Sequence, residues 1–194
     1  MQAKNEILKI LGKKGTIQIL EFLSQHGKVQ YMQMRQFATI RTLNDRTREL
    51  LRYGLVENHL KREKTRKEWY EITERGNEIL QYTQRLLESV KPSGEQGEQN
   101  KMDETKKMEL LALLGSKGTK EMLQYLCQQG EVQYTNFDLS ISLPIFNTRL
   151  QKLLKFNMVE HYRTREPKKT EWYEITERGK RVLKIMEDMG LTEK

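Results

Sequence analysis

The chain has one cysteine, Cys127, in 194 residues. That excludes a disulfide framework and a thiolate metal site, each of which needs several sulfurs. Histidine is nearly as scarce: His26, His59 and His161 are scattered without metal-ligand spacing. Neither a metal nor a cofactor is expected. No glycine-rich loop suited to phosphate is present, and no Cys–His or Ser–His constellation, so an enzyme is not expected. Apolar runs stay well short of the roughly 18 residues of a membrane span. Met1–Glu6 lacks the charged and apolar regions of a signal peptide. The expected setting is the cytoplasm, in association with the nucleoid and without a membrane partner. Cys127 aligns with Ser24 on an otherwise apolar helix and is expected to be a small buried side chain rather than a redox sensor.

What is present is charge, 32% of residues, with 36% hydrophobic and a net charge of +8. Residues 1–88 hold 17 Lys/Arg against 11 Asp/Glu, and residues 103–194 hold 16 against 14. A basic balance favours polyanions such as nucleic acid. Most of that attraction would come from the first part of the chain.

The chain also repeats itself. Glu68-Trp69-Tyr70-Glu71-Ile72-Thr73-Glu74-Arg75-Gly76 returns letter for letter as Glu171–Gly179, and residues 8–82 align with 111–185 without a gap. Such a spacing exceeds the roughly 20–50 residues of a stacked solenoid unit and matches a small domain. Two domains are expected, 1–88 and 103–194. Between them, residues 89–102 are rich in Gly, Ser, Gln and Glu and read as a flexible linker.

Within each copy an apolar-periodic first helix precedes Thr16 or Thr119, which suit an N-cap. Ile19, Leu20, Leu23 and Met122, Leu123, Leu126 mark a second helix, ended by Gly27 or Gly130. Helical segments are expected at about 31–38 and 134–140, opening on Tyr31 and Tyr134 as packing residues. Thr39 and Ser142 read as caps of a third helix. Its buried face is Leu43, Thr47, Leu50, Leu51 in copy one and Phe146, Leu150, Leu153, Leu154 in copy two. Pro144 suits the first turn, and Gly54 and Asn157 suit the left-handed close. The period then falls to two at 55–60 and 158–163, a basic turn follows, and the nonapeptide returns as a second strand. Thr73 and Thr176 read as caps of the last helix. The expected fold is mainly α with small β-hairpin wings.

Leu50-Leu51-Arg52-Tyr53-Gly54-Leu55-Val56-Glu57 and the nonapeptide resemble signatures of winged helix-turn-helix transcription regulators. The HxlR, PadR, MarR and ArsR-like groups and many archaeal regulators share them. The resemblance covers almost all of both copies, with Asn157 and Met158 replacing Gly54 and Leu55 in the second. It implies two tandem winged helix-turn-helix domains. Most such proteins are single-domain homodimers, so two copies imply an internal pseudo-dimer, with pairing of two chains left open.

A recognition helix of this fold enters the major groove while the wing follows the backbone or minor groove. Arg41, Thr42, Asn44, Asp45 and Arg48 lie off the apolar face of the third helix, where Arg and Asn suit guanine and adenine edges. Copy two offers Pro144, Ile145, Asn147, Thr148, Gln151 and Lys152, a less cationic set. The wings carry Lys61, Arg62, Lys64, Arg66, Lys67 and Arg163, Arg165, Lys168, Lys169 for phosphate. Lys13, Lys14 and Lys117 flank a helix start, which also favours phosphate. Alternation turns Trp69 and Trp172 outward, to pack on a flanking helix or between copies, or to stack on bases. The expected function is double-stranded DNA binding and transcription regulation. The rival is a tandem winged-helix module for protein contacts or nonspecific chromosome binding, as in the kleisin-binding subunits of chromosome-condensing complexes.

Overall fold

The computed structural model describes residues 2–62, 66–90, 103–164 and 170–191. The chain runs α1 (Gln2–Leu11), α2 (Thr16–His26), a 3-10 turn (Tyr31–Gln36), α3 (Ile40–Arg52), β1 (Val56–Arg62), β2 (Arg66–Ile72) and α4 (Glu74–Ser89). It continues as α5 (Glu104–Leu114), α6 (Thr119–Gln129), β3 (Val132–Gln133), a 3-10 turn (Tyr134–Asn136), α7 (Leu143–Lys155), β4 (Val159–Thr164), β5 (Thr170–Ile175) and α8 (Glu177–Met186), with a π turn at Glu187–Leu191. The architecture is mainly helical with two small antiparallel hairpins, consistent with wings. Among the described residues no helix is long and apolar enough to cross a membrane.

The repeated nonapeptide forms a corner. The Thr73 hydroxyl accepts from the Gly76 amide at 3.0 Å and donates to the Gly54 carbonyl at 2.7 Å. Thr176 does the same with Gly179 at 3.0 Å and Asn157 at 2.8 Å. One side chain thus caps the closing helix and ties it to the exit of the third helix. A Cβ on Gly76 would lie 2.1 Å from the Leu55 carbonyl oxygen, and one on Gly179 2.2 Å from that of Met158. Only glycine fits this approach. Gly54 and Asn157 both have positive φ, 64° and 53°, as the left-handed close requires.

Each hairpin gains a partner that short-range patterning does not show. Val29 forms an antiparallel bridge with Tyr70, and in the second half β3 extends this to two residues, giving the sheet order β3-β5-β4. The segments expected as helices at 31–38 and 134–140 are 3-10 turns, the second only three residues long. Met34 is buried in the first and nothing in the second, too little apolar surface to hold an α-helix this short. Thr16 and Thr119 are not caps. Gly15 and Gly118 hold those positions with positive φ, while both threonines are buried in the first turn. Ser142 sits at its cap position without a side-chain cap bond. Pro144, two residues on, has no N–H to offer it. Cys127 is exposed rather than buried, because Met122, Leu123 and Leu126 define the inner face of α6 and Cys127 falls off it.

The buried face of α3 is Leu43, Thr47 and Leu50, and that of α7 is Phe146, Leu150 and Leu153. Leu51 and Leu154 are half-buried against the same core. α4 runs to Ser89 with Val90 buried beyond it, and the rest of the expected linker lies outside the described residues. Both halves share one continuous apolar core, in which α1 packs on α5 and α4 on α8. α1 and α5 cross closely: a Cβ on Gly12 would meet the Ala112 backbone nitrogen at 2.8 Å. The Gln18 amide also donates to Glu104 across the halves at 2.7 Å. Gly12→Leu should therefore lower the unfolding free energy by about 1–3 kcal/mol, the usual range for overpacking. Urea denaturation followed by circular dichroism measures it, and an unchanged midpoint would show that the crossing yields freely.

Candidate nucleic-acid interface

α3 starts at Thr39, whose hydroxyl accepts from the Thr42 amide at 3.4 Å. Burial of Leu43, Thr47 and Leu50 turns Arg41, Asn44, Asp45 and Arg48 to solvent, with Thr42 half-buried. No acidic residue lies in the first turn, so the partial positive charge of the helix start is unopposed there. An open groove runs beside it, lined by Lys14, Arg35, Phe37, Thr39 and Thr42. Sequence patterning does not single out Arg35. Its only signal is its charge, and the 3-10 turn is what carries it to the helix start.

Four of the candidate groups, Asn44, Asn147, Arg48 and Asp45, already have internal partners. Tyr31 donates its phenol to Asn44 Oδ1 at 2.5 Å, and Tyr134 to Asn147 Oδ1 at 2.6 Å. Both tyrosines also pack, Tyr31 near Tyr70 and Tyr134 edge-on to Phe146. The amide oxygens are engaged, so the NH2 groups are what these asparagines present outward without rearrangement. Arg48 and Asp45 form a loose exposed pair at 3.7 Å, which contributes little and opens easily.

Behind the exposed face is a fixed ion network. Glu49 accepts from Arg46 at 2.6 Å and, through its other oxygen, from Lys13 in the turn before α2. Burial acting alone would raise the Glu49 carboxyl. Hydrogen bonds from Lys13 and Arg46, with their charges, outweigh that and hold it below its ordinary value. Lys13 is thus spent on positioning α3, whereas Lys14 lines the groove.

α7 keeps the tyrosine–asparagine bond and differs at the ion network and at the exposed face. Ser116 and Lys152 stand where Lys13 and Glu49 stand in the first half, which removes the network. Thr148 turns its hydroxyl back to the Pro144 carbonyl at 2.8 Å. Gln151 is exposed and Lys152 half-buried. Leu143 is 61% exposed and Ile145 39%, so the start of α7 presents apolar surface.

In the first hairpin Lys61 and Lys67 are exposed and paired in register, and Arg62 stands opposite Arg66 at its last described rung. Lys64 lies outside the described residues, as do Arg165, Lys168 and Lys169. Arg163 is held by Glu171 at 2.7 Å. Trp69 is half-buried and stacks on His59, with ring centroids 5.5 Å apart. Trp172 is also half-buried.

Residues 10–98 match the family model described as HxlR-like helix-turn-helix. The chain carries an HxlR-like winged helix-turn-helix domain over this part of its length. No curated protein and no solved structure matches the chain. HxlR-like proteins are regulatory and non-catalytic, which agrees with the expectation that this is not an enzyme. The match supports a DNA-binding, transcription-regulatory role in general. Within the HxlR-like part lie α3, the Lys13–Glu49–Arg46 network and the first hairpin.

Because the Glu49 carboxyl is depressed in the fold, its contribution is present above the unfolded value and disappears as pH falls through the folded one. Thermal melts between pH 3 and pH 7 should show the wild type losing stability on the acid side, from about pH 4.5 downward. Glu49→Gln should start lower near neutrality and fall less steeply. Parallel curves would remove the network from the acid response.

Proposed function

We infer that the chain is a double-stranded DNA-binding transcription regulator of cytoplasmic, nucleoid-associated type, presenting two winged-helix units from one polypeptide. Residues 1–88 and 103–194 would be the units and 89–102 their connection. The observation that carries the reading is the start of α3. There Lys14 and Arg35 line a groove with Thr39 and Thr42, and the same helix exposes Arg41, Asn44, Asp45 and Arg48, in the part that matches the HxlR-like family. Arg41 and Arg48 are assigned base-edge contacts, with Thr42, Asn44 and Asp45 beside them. Lys61, Arg62, Lys64, Arg66 and Lys67 are assigned to phosphate. Packing of α1 on α5 and α4 on α8 supports an internal pseudo-dimer. Since α3 and α7 differ, the site should be asymmetric or only pseudo-palindromic, with Asn147, Thr148, Gln151 and Lys152 reading the weaker half and Arg163, Arg165, Lys168 and Lys169 on its backbone.

Sites selected from random duplexes, then titrated against salt, test this. Arg41→Ala with Arg48→Ala should flatten discrimination between selected and scrambled duplexes. Lys61→Ala with Lys67→Ala should weaken both duplexes alike and reduce the salt slope by roughly one to two units. Absence of binding at moderate salt would sink the reading.

The apolar start of α7 favours a second reading, in which the second half meets protein and only the first meets DNA. Ile145, exposed where α3 has Thr42, is the specific observation, since Ile40 is exposed at the position of Leu143. Leu143→Ser with Ile145→Ser should leave duplex affinity within twofold on this reading. A loss of tenfold or more would return α7 to the DNA.

A further inference from the structure

The outer face of the first hairpin holds a cluster to which the proposed DNA contacts assign no role. Val56 and Tyr70 are buried on the inner face, so alternation places Glu57, His59, Trp69 and Glu71 together on the outer one. Glu57 stands directly opposite Glu71 in the register, and His59 opposite Trp69. Two carboxylates facing each other across a strand pair repel.

The imidazole lies between the carboxylates. His59 Nε2 is 3.2 Å from Glu57 Oε1 and 3.0 Å from Glu71 Oε2. The ring plane is fixed by its stack on Trp69, inclined only 15°. One N–H on Nε2 points along a single direction and satisfies only one carboxylate well. A cation held by all three donors discharges both. The three donor atoms lie within 4.8 Å of one another, so small side-chain rotations bring them to a common centre about 2.0–2.2 Å from each. Lys28 is nearby, 3.9 Å from the other Glu71 oxygen, Oε1, and 5.7 Å from the Trp69 ring. It is 67% exposed and leaves Oε2 to the imidazole side.

We propose that Glu57, His59 and Glu71 bind one divalent transition-metal ion, with Zn2+ the reference member of the class. One nitrogen and two carboxylate oxygens suit a borderline ion better than Mg2+ or Ca2+, which prefer oxygen alone, or Cu(I), which prefers sulfur. Solvent fills the remaining positions, because Glu57 is 54% exposed. The ion joins β1 to β2 at the stem of the hairpin. It rests on this donor geometry and is independent of what the hairpin tip contacts.

The second hairpin is a natural control. Glu160 and Glu174 again stand opposite each other, but Tyr162, paired with Trp172, replaces His59. Burial and the nearby Glu131, Glu174 and Glu160 push the Tyr162 phenol up to about 12, so it offers no anionic oxygen near neutrality.

The full chain, without a histidine tag and stripped with chelator, is titrated near neutral pH with ZnCl2 by calorimetry. Ni2+ quenching of Trp69 fluorescence in a Trp172→Phe background gives a second readout. The expected result is one Zn2+ per chain, a thermal midpoint that rises with Zn2+, and quenching by Ni2+. His59→Gln and, separately, the more exposed Glu57→Gln should weaken binding at least tenfold, and His161→Gln should leave it unchanged. No uptake by the wild type, or uptake that His59→Gln and Glu57→Gln leave intact, overturns the proposal.

Discussion

Everything in each half hangs from one corner, the threonine–glycine step at Thr73–Gly76 and again at Thr176–Gly179. Its hydroxyl satisfies the start of the closing helix and the end of the third helix at once, and the glycine lets the two backbones come within contact of each other. If the corner opened, the hairpin would lose its angle to α3 and the closing helix its route back to the core. This is a physical reason for the same nine residues to stand twice while their surroundings differ.

Those surroundings differ most in charge. Near the start of α3, Lys13 and Arg46 are locked by Glu49 while Arg41 and Arg48 are exposed; at the matching places Ser116 and Lys152 replace Lys13 and Glu49, and Pro144 and Gln151 replace Arg41 and Arg48. Lys28 becomes Glu131, Glu49 becomes Lys152 and Arg41 becomes Pro144 along the same frame. The scaffold is held constant and its electrostatics are not. Similar helices with dissimilar fields suit two unlike surfaces better than one symmetrical one.

Local chemistry is legible in the amino-acid sequence. The caps at Thr39, Thr73 and Thr176 and the closes at Gly54 and Asn157 depend on neighbours a few residues away, and each holds in the fold. Features that depend on distant partners are not legible in the same way. Thr16 has the chemistry of a cap but is drawn inward, leaving Gly15 at the helix boundary. Val29 needs Tyr70, forty-odd residues on, to become a strand position. Asn44 has the chemistry of a free reader, yet its oxygen is bonded to Tyr31. The histidines are scattered along the chain, and only the hairpin register sets His59 between two glutamates. Cys127 owes its exposure to its angle on α6, which the apolar character of its neighbours does not convey.

The close crossing of α1 and α5 has a kinetic meaning. Two separate subunits would have to find each other before a paired reader existed, and dilution would pull them apart. Here the joining faces belong to one covalent chain, so their encounter is intramolecular. Paired reading helices would then be present at any protein level. Occupancy of a site would follow the first power of concentration rather than the second, giving a graded response where an associating dimer gives a threshold.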